Sequence, residues 1–236
     1  MKKKYIPVLI FIITLIFFAF ETQRAFVTVS AHASFLEKKP KIIIDAGHGG
    51  EDGGAIGING VLEKDLNLSI SLKLKEYFEN NNFEVIMIRD GDYAVGDLSL
   101  PTIRKRKVSD AKERLKQIAK ASECIYISIH QNSFTEDKYS GADTFYSPNR
   151  EESKILAEFV RKSIVSSLQP ENTREIKEAG ENIFLMYNCK VPAVLVECGF
   201  ISNPVECEKL CTDEYQVKIA KCIYNGVIDY ITSLSS

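Results

Sequence analysis

One stretch limits this chain more than any other: Lys41–Gly60, KIIIDAGHGGEDGGAIGING. Three isoleucines, Ile42-Ile43-Ile44, run into Asp45 and then into a loop with seven glycines from Gly47 to Gly60. Glu63 follows and opens a long amphipathic run. A continuous β-branched run bounded by glycine is the pattern of a strand covered on both faces. A strand that turns through glycines into a helix is the repeating unit of an α/β sheet. Glycine also lets backbone approach a ligand closely, because it tolerates conformations that other residues avoid. The loop therefore has two readings, a phosphate cradle or a metal site that uses His48 and Glu63.

The rest of the chain alternates in the same way. Leu62, Leu66, Ile70, Leu74 and Phe78 recur every four residues and predict a helix over Glu63–Asn80. A strand is predicted over Phe83–Ile88, a helix from about Leu100 to Ala121, and a strand over Cys124–Ile129 that delivers His130 at its end. Gly141–Tyr146 reads as a short strand and Glu151–Leu168 as an amphipathic helix. Pro170–Asn182 is charged and turn-rich, and Ile183–Tyr187 fits either a short strand or a turn of helix. Pro192 leads into a strand over Ala193–Glu197, and a last helix runs from about Asp213 to Leu234. This order predicts one α/β domain over residues 41–236, with a mostly parallel central sheet and helices on both faces. Ligands of such sheets bind at the carboxyl edge of the strands. His48, His130 and Glu197 all follow or end strands, so they should meet there.

With 236 residues, 45% of them hydrophobic, the chain can bury one sizeable core. A net charge of −2 gives no electrostatic reason to expect nucleic acid. The cluster Arg104-Lys105-Arg106-Lys107 reads as a solvated helix face. Residues 1–20 stand apart: Met1-Lys2-Lys3-Lys4 precedes an almost wholly apolar run from Tyr5 to Phe20. That is a signal peptide or a signal anchor, and both export the domain that follows. Ala31-His32-Ala33 offers a small-x-small cleavage pattern, but it lies far beyond the apolar run, so both forms stay open. Residues 21–40 read as a linker, and contact with the membrane is expected only through the N-terminal segment. The six cysteines lack the spacing of a disulfide framework and read as packed thiols. Cys207-x3-Cys211 lacks a second pair for structural zinc.

The phosphate reading fails on chemistry. The loop has no Gly-Lys-Ser/Thr, Asp52 stands where the third glycine of a dinucleotide fingerprint belongs, and Glu51 and Asp52 would repel an anion. The metal reading gains from scarcity: of three histidines, His32 lies in the linker and the other two sit at strand ends. Two histidines and a glutamate form a typical catalytic zinc set that leaves one position open. His48, Glu63 and His130 are the candidate ligands. A hydrolase of this kind needs a general base, and Glu197 after Val194-Leu195-Val196 is the candidate, with capping of the next turn as its other reading. Asp45 is left between orienting a ligand histidine and capping the turn.

IIIDAGHGGEDGGAIG, LEKDLNL, SIHQNS and VLVECGFISNPVE occur in that order from Ile42 onward. In these motifs the chain resembles the zinc-dependent N-acetylmuramoyl-L-alanine amidases. The resemblance implies Zn2+ on His48, Glu63 and His130, a catalytic Glu197, and peptidoglycan as substrate, cut between the lactyl group of muramic acid and L-alanine. The chain has no wall-binding repeats and only a short segment between His130 and Gly141. In this it is most similar to the germination-specific branch of spore formers, which clears the way for muramic lactam in the cortex. That branch implies an exported enzyme on the wall or cortex side, and the lack of repeats leaves room for an activating or targeting protein partner. Two departures stand out: Thr173-Arg174-Glu175-Ile176-Lys177 replaces the family's Asn-Arg-Gly-x-Lys, and Cys198 follows the glutamate where an aliphatic residue is usual. Two other functions remain open, a zinc peptidase acting within stem peptides and a non-catalytic wall-binding module on the same fold.

Overall fold

The computed structural model describes residues 39–121 and 123–234. The expected leader and nearly all of the linker lie outside them. Six strands form one sheet: β1 (Lys41–Ala46), β2 (Val85–Met87), β3 (Cys124–Asn132), β4 (Asp143–Tyr146), β5 (Lys177–Glu178) and β6 (Ala193–Phe200). The helices are α1 (Glu63–Glu79), α2 (Ile103–Lys120), α3 (Glu151–Ser167), α4 (Phe184–Asn188), α5 (Pro204–Leu210) and α6 (Asp213–Ser233). The strand order is β2-β1-β3-β6-β4-β5. Every pairing is parallel except β4 against β6. The architecture is the predicted α/β domain with a mostly parallel sheet.

Alternation along the strands divides the core. Ile42 and Ile44 pack with Leu66, Ile70, Leu74 and Phe78 of α1 and with residues of α3 and α6. Ile43 faces the other way, onto Ile118 of α2 and Met186 of α4. Helix α1 starts at Leu62 without a side-chain cap. Loop carbonyls serve instead: the Glu63 amide donates to Ala55 O (3.0 Å) and the Lys64 amide to Gly53 O (3.1 Å). Burying an Ile, Leu or Phe side chain stabilises by about 1.5–3 kcal/mol, against about 1 kcal/mol for a cap. The apolar stripe therefore decides where α1 forms, and the glycine loop decides where it begins. No helix among the described residues is long and apolar enough to cross a membrane.

Several elements depart from expectation. Strands β3 and β6 run past His130 and Glu197 instead of ending at them, because each residue has a ladder partner: His130 pairs with Glu197, and Glu197 also pairs with Asp143 of β4. A register shift between His130 and Asn132 then ends the regular pairing. Ile183–Tyr187 resolves as the short helix α4, and the charged segment before it contains β5 at the sheet edge. Helix α5, capped by Asn203 with Pro204 in its first turn, was not foreseen. Half of the basic cluster on α2 is engaged: Arg106 is ion-paired with Glu51, and Lys107 lies 2.8 Å from Asp52.

Candidate metal centre

The glycine loop is folded so that side chains from distant segments can share one space. His48 lies in the left-handed region at φ 63°, which histidine tolerates better than most residues. A side chain at Gly47 would collide with the His130 imidazole, and one at Gly54 would come 2.8 Å from Cδ2 of His48. These two glycines are spacers. With them in place, His48 Nε2 is 3.2 Å from Oε2 of Glu63, and His130 Nδ1 is 2.9 Å from Oε1 of the same carboxylate. The two imidazoles meet edge to face with centroids 5.0 Å apart. One ligand atom from each of His48, Glu63 and His130 falls within 4.8 Å of the others.

The surroundings favour a cation. Glu63 accepts from the Ala55 amide (2.9 Å), the Gln131 amide (3.2 Å) and Asn67 Nδ2 (3.3 Å). Burial opposes its charge, but the two histidines hold Glu63 well below the usual carboxylate range. Burial alone would lower His48; the carboxylates of Asp52 and Glu63 instead lift it to about 9. His48 Nδ1 sits 2.9 Å from Oδ2 of Asp52. Lys107 and the Gly54 amide hold the other oxygen of Asp52. A carboxylate on the outer nitrogen fixes the tautomer and leaves Nε2 as a lone-pair donor, the usual support for a metal-ligating histidine. Two nitrogens and one charged oxygen with such backing fit zinc.

Glu197 stands beside this cluster, at the same register position as His130. Its Oε2 is enclosed and has no hydrogen-bond partner among the described residues. Burial pushes the carboxyl up to about 7; His130 opposes that shift, and the Glu63 and Asp143 carboxylates add to it. Asp143, buried, accepts from Lys177 Nζ at 2.5 Å and from Arg174 at 3.4 Å. Arg174 also lies over the Phe200 ring, 4.8 Å from its centroid.

Residues 42–229 match the family model described as N-acetylmuramoyl-L-alanine amidase. The chain belongs to that family. This amidase is 36% identical over 191 residues to the germination-specific N-acetylmuramoyl-L-alanine amidase of Bacillus subtilis, a match covering 81% of this chain and 79% of that protein. It is similar to the CwlD amidase of Clostridioides difficile, solved in complex with the GerS lipoprotein, with a TM-score of 0.80 and 37% identity. That match covers 83% of this chain and all of the solved one, 100%. The AmiC2 amidase of Nostoc punctiforme matches with a TM-score of 0.69 and 26% identity over 83% of this chain and 98% of its own.

In the amidase, all four residues singled out in the sequence lie at one edge of the sheet. Asp45 does neither of the things expected of it. It is buried, ion-paired with Arg114 and bonded to the Tyr126 hydroxyl at 2.7 Å. Its connection to the site is indirect, because Arg114 also donates to the His48 carbonyl at 2.6 Å. Sequence reading missed Asp52 and Asn67 as supports of the site. Each had a signal: Asp52 lies four residues after His48 in the loop, and Asn67 lies four after Glu63, one turn along the same helix. Arg89 carried none, because its partners are backbone carbonyls. Arg114 had a local partner in Asp110, four residues earlier on α2, but nothing in the sequence tied it to Asp45 or to the loop.

Proposed function

We propose that this amidase is a zinc hydrolase whose ligands are His48, Glu63 and His130 and whose catalytic acid–base group is Glu197. Its substrate is the amide between the lactyl group of N-acetylmuramic acid and the L-alanine of peptidoglycan stem peptides. The observation that carries the reading is the enclosed Oε2 of Glu197, unpartnered among the described residues, next to a charged carboxylate shared by two histidines. When bound, zinc supplies Lewis acidity, polarising an amide carbonyl and making a nearby water acidic near neutral pH. Glu197 accepts the proton of the attacking water at its carboxylate and returns it to the alanine nitrogen as the C–N bond breaks. A carboxyl lifted to about 7 suits both directions of that transfer. Asp52 and Asn67 keep His48 and Glu63 in place while this happens.

The likeness to the germination-specific relative supports a role in the spore cortex, with residues 41–236 as the catalytic domain, 1–20 as the export signal or anchor and 21–40 as linker. The enzyme would then act on the wall or cortex side of the membrane. The C. difficile relative was solved with a lipoprotein, which supports a protein partner here as well. Mass spectrometry of digested muropeptides tests the bond cleaved. Peptide-free glycan is the expected product, whereas shortened stems still attached to muramic acid would mark a peptidase. Glu197→Gln should abolish hydrolysis and keep wild-type zinc content; loss of zinc from this variant would make Glu197 a ligand instead.

A further inference from the structure

The turn after β2 carries no ligand of the proposed centre, yet it holds two of the three segments that do, the glycine loop and the start of α1. Arg89 is fully buried, and among the described residues its hydrogen bonds all go to backbone carbonyls. Nε donates to Ala46 O (2.7 Å) and Nη1 to Gly91 O (2.9 Å). Nη2 donates both to Gly47 O (3.0 Å) and to Lys64 O (2.8 Å). Gly47 precedes His48 and Lys64 follows Glu63, so one nitrogen bridges the chain on either side of the two ligands. Three residues on, Asp92 repeats the link: it accepts from the Gly50 amide (2.8 Å) and from Lys64 Nζ (2.7 Å). Lys64 Nζ also donates to Gly50 O (2.8 Å). The loop is seated tightly against this turn. A Cβ at Gly49 would lie 2.9 Å from Cδ of Arg89, and one at Gly50 would lie 2.9 Å from the Ala94 nitrogen.

We propose that Arg89, together with Asp92, is a positioning device that sets the separation of His48 and Glu63 before metal arrives. A buried guanidinium with no carboxylate in contact among the described residues is costly, and here its forked donors are satisfied only if loop and helix stand at one distance. The loop needs that restraint. Gly49 and Gly50 leave its backbone free to take many conformations. His48, between Gly47 and Gly49, is held in the left-handed region at φ 63°, which a non-glycine residue keeps only where its surroundings over-determine it. The inference rests on the metal reading above.

Zinc affinity of metal-stripped protein, measured by competition with a chromogenic chelator, tests it, with the d–d absorption of bound Co2+ as a second readout. Arg89→Lys keeps the charge and loses the fork, so its zinc Kd should rise about 10–100-fold, the usual cost of losing an outer support, with altered Co2+ bands. Asp92→Asn should weaken zinc in the same direction by a smaller factor. Lys41→Met, which removes an exposed pair with Glu84 at the other end of β1, should match wild type. Folding of each stripped variant is checked by its circular-dichroism melt. If Arg89→Lys does not fold, Asp92→Asn decides, because the Asp92 side chain is half exposed. Wild-type affinity and Co2+ bands in a folded Arg89→Lys or Asp92→Asn protein would overturn the proposal. Wild-type protein that binds no zinc would overturn the metal reading, and this inference with it.

Discussion

His48 lies between two carboxylates, and its position has a consequence for the metal-stripped protein. Its folded pKa, near 9, is above the ordinary value of 6.5, so its pairing stabilises the fold fully below pH 6.5. That contribution fades as pH rises through 9. Asp52 and Glu63 are held below the ordinary carboxylate range, so their share is lost only in acid. Melting temperatures of stripped wild type and of His48→Gln should therefore converge between pH 6.5 and 9. Parallel curves across that window would show that His48 is not charged there. Bound zinc should remove the convergence, because the Nε2 lone pair is then engaged. At this scale the four candidate residues were named from the sequence, since histidine is scarce and each was expected at a strand end or helix start. Asp52, Asn67 and Arg89 could not be assigned, because their roles depend on what folds beside them.

Helices α3 and α6 cover one face of the sheet, and their contact is set by a missing side chain. A Cβ at Gly226 would lie 2.5 Å from Cα of Val160 and 2.8 Å from the Phe159 carbonyl. Gly226→Leu should therefore push the helices apart and destabilise the protein by about 1–3 kcal/mol or more in urea melts, the cost of overpacking. An unchanged midpoint would mean that the two helices separate freely. The apolar stripes of α1, α3 and α6 were readable because a period near four persists over several turns. Helix α5 has seven residues and β5 has two, which is too short for any period to stand out. The ends of β3 and β6 were misplaced for a different reason: a strand continues as long as a neighbour offers partners, and β3 and β6 carry each other on to Asn132 and Phe200.

For the whole molecule, the sulfur chemistry follows from how the layers close. None of the six cysteines is paired, and only Cys211 is exposed. Burial lifts Cys189 to about 11 and Cys198 further still, which suppresses the reactive thiolate. Native reduced protein should give one fast equivalent with a thiol reagent at pH 8, and denatured protein should give six. Two or more fast equivalents would mean that the helical layers open. The sequence by itself determined the α/β class and the order of the main elements, and it named the four residues proposed for the centre. Those follow from short-range causes, namely periodicity, glycine turns and residue chemistry. The tertiary structure alone decided that β4 runs against β6, that Asp45 serves Arg114, and that a turn after β2 holds the loop and α1 together. These are contacts between residues far apart in sequence, some made by backbone groups that every residue carries and some by side chains such as Asp45 and Arg114 that meet only in the folded chain, so no local pattern marks them.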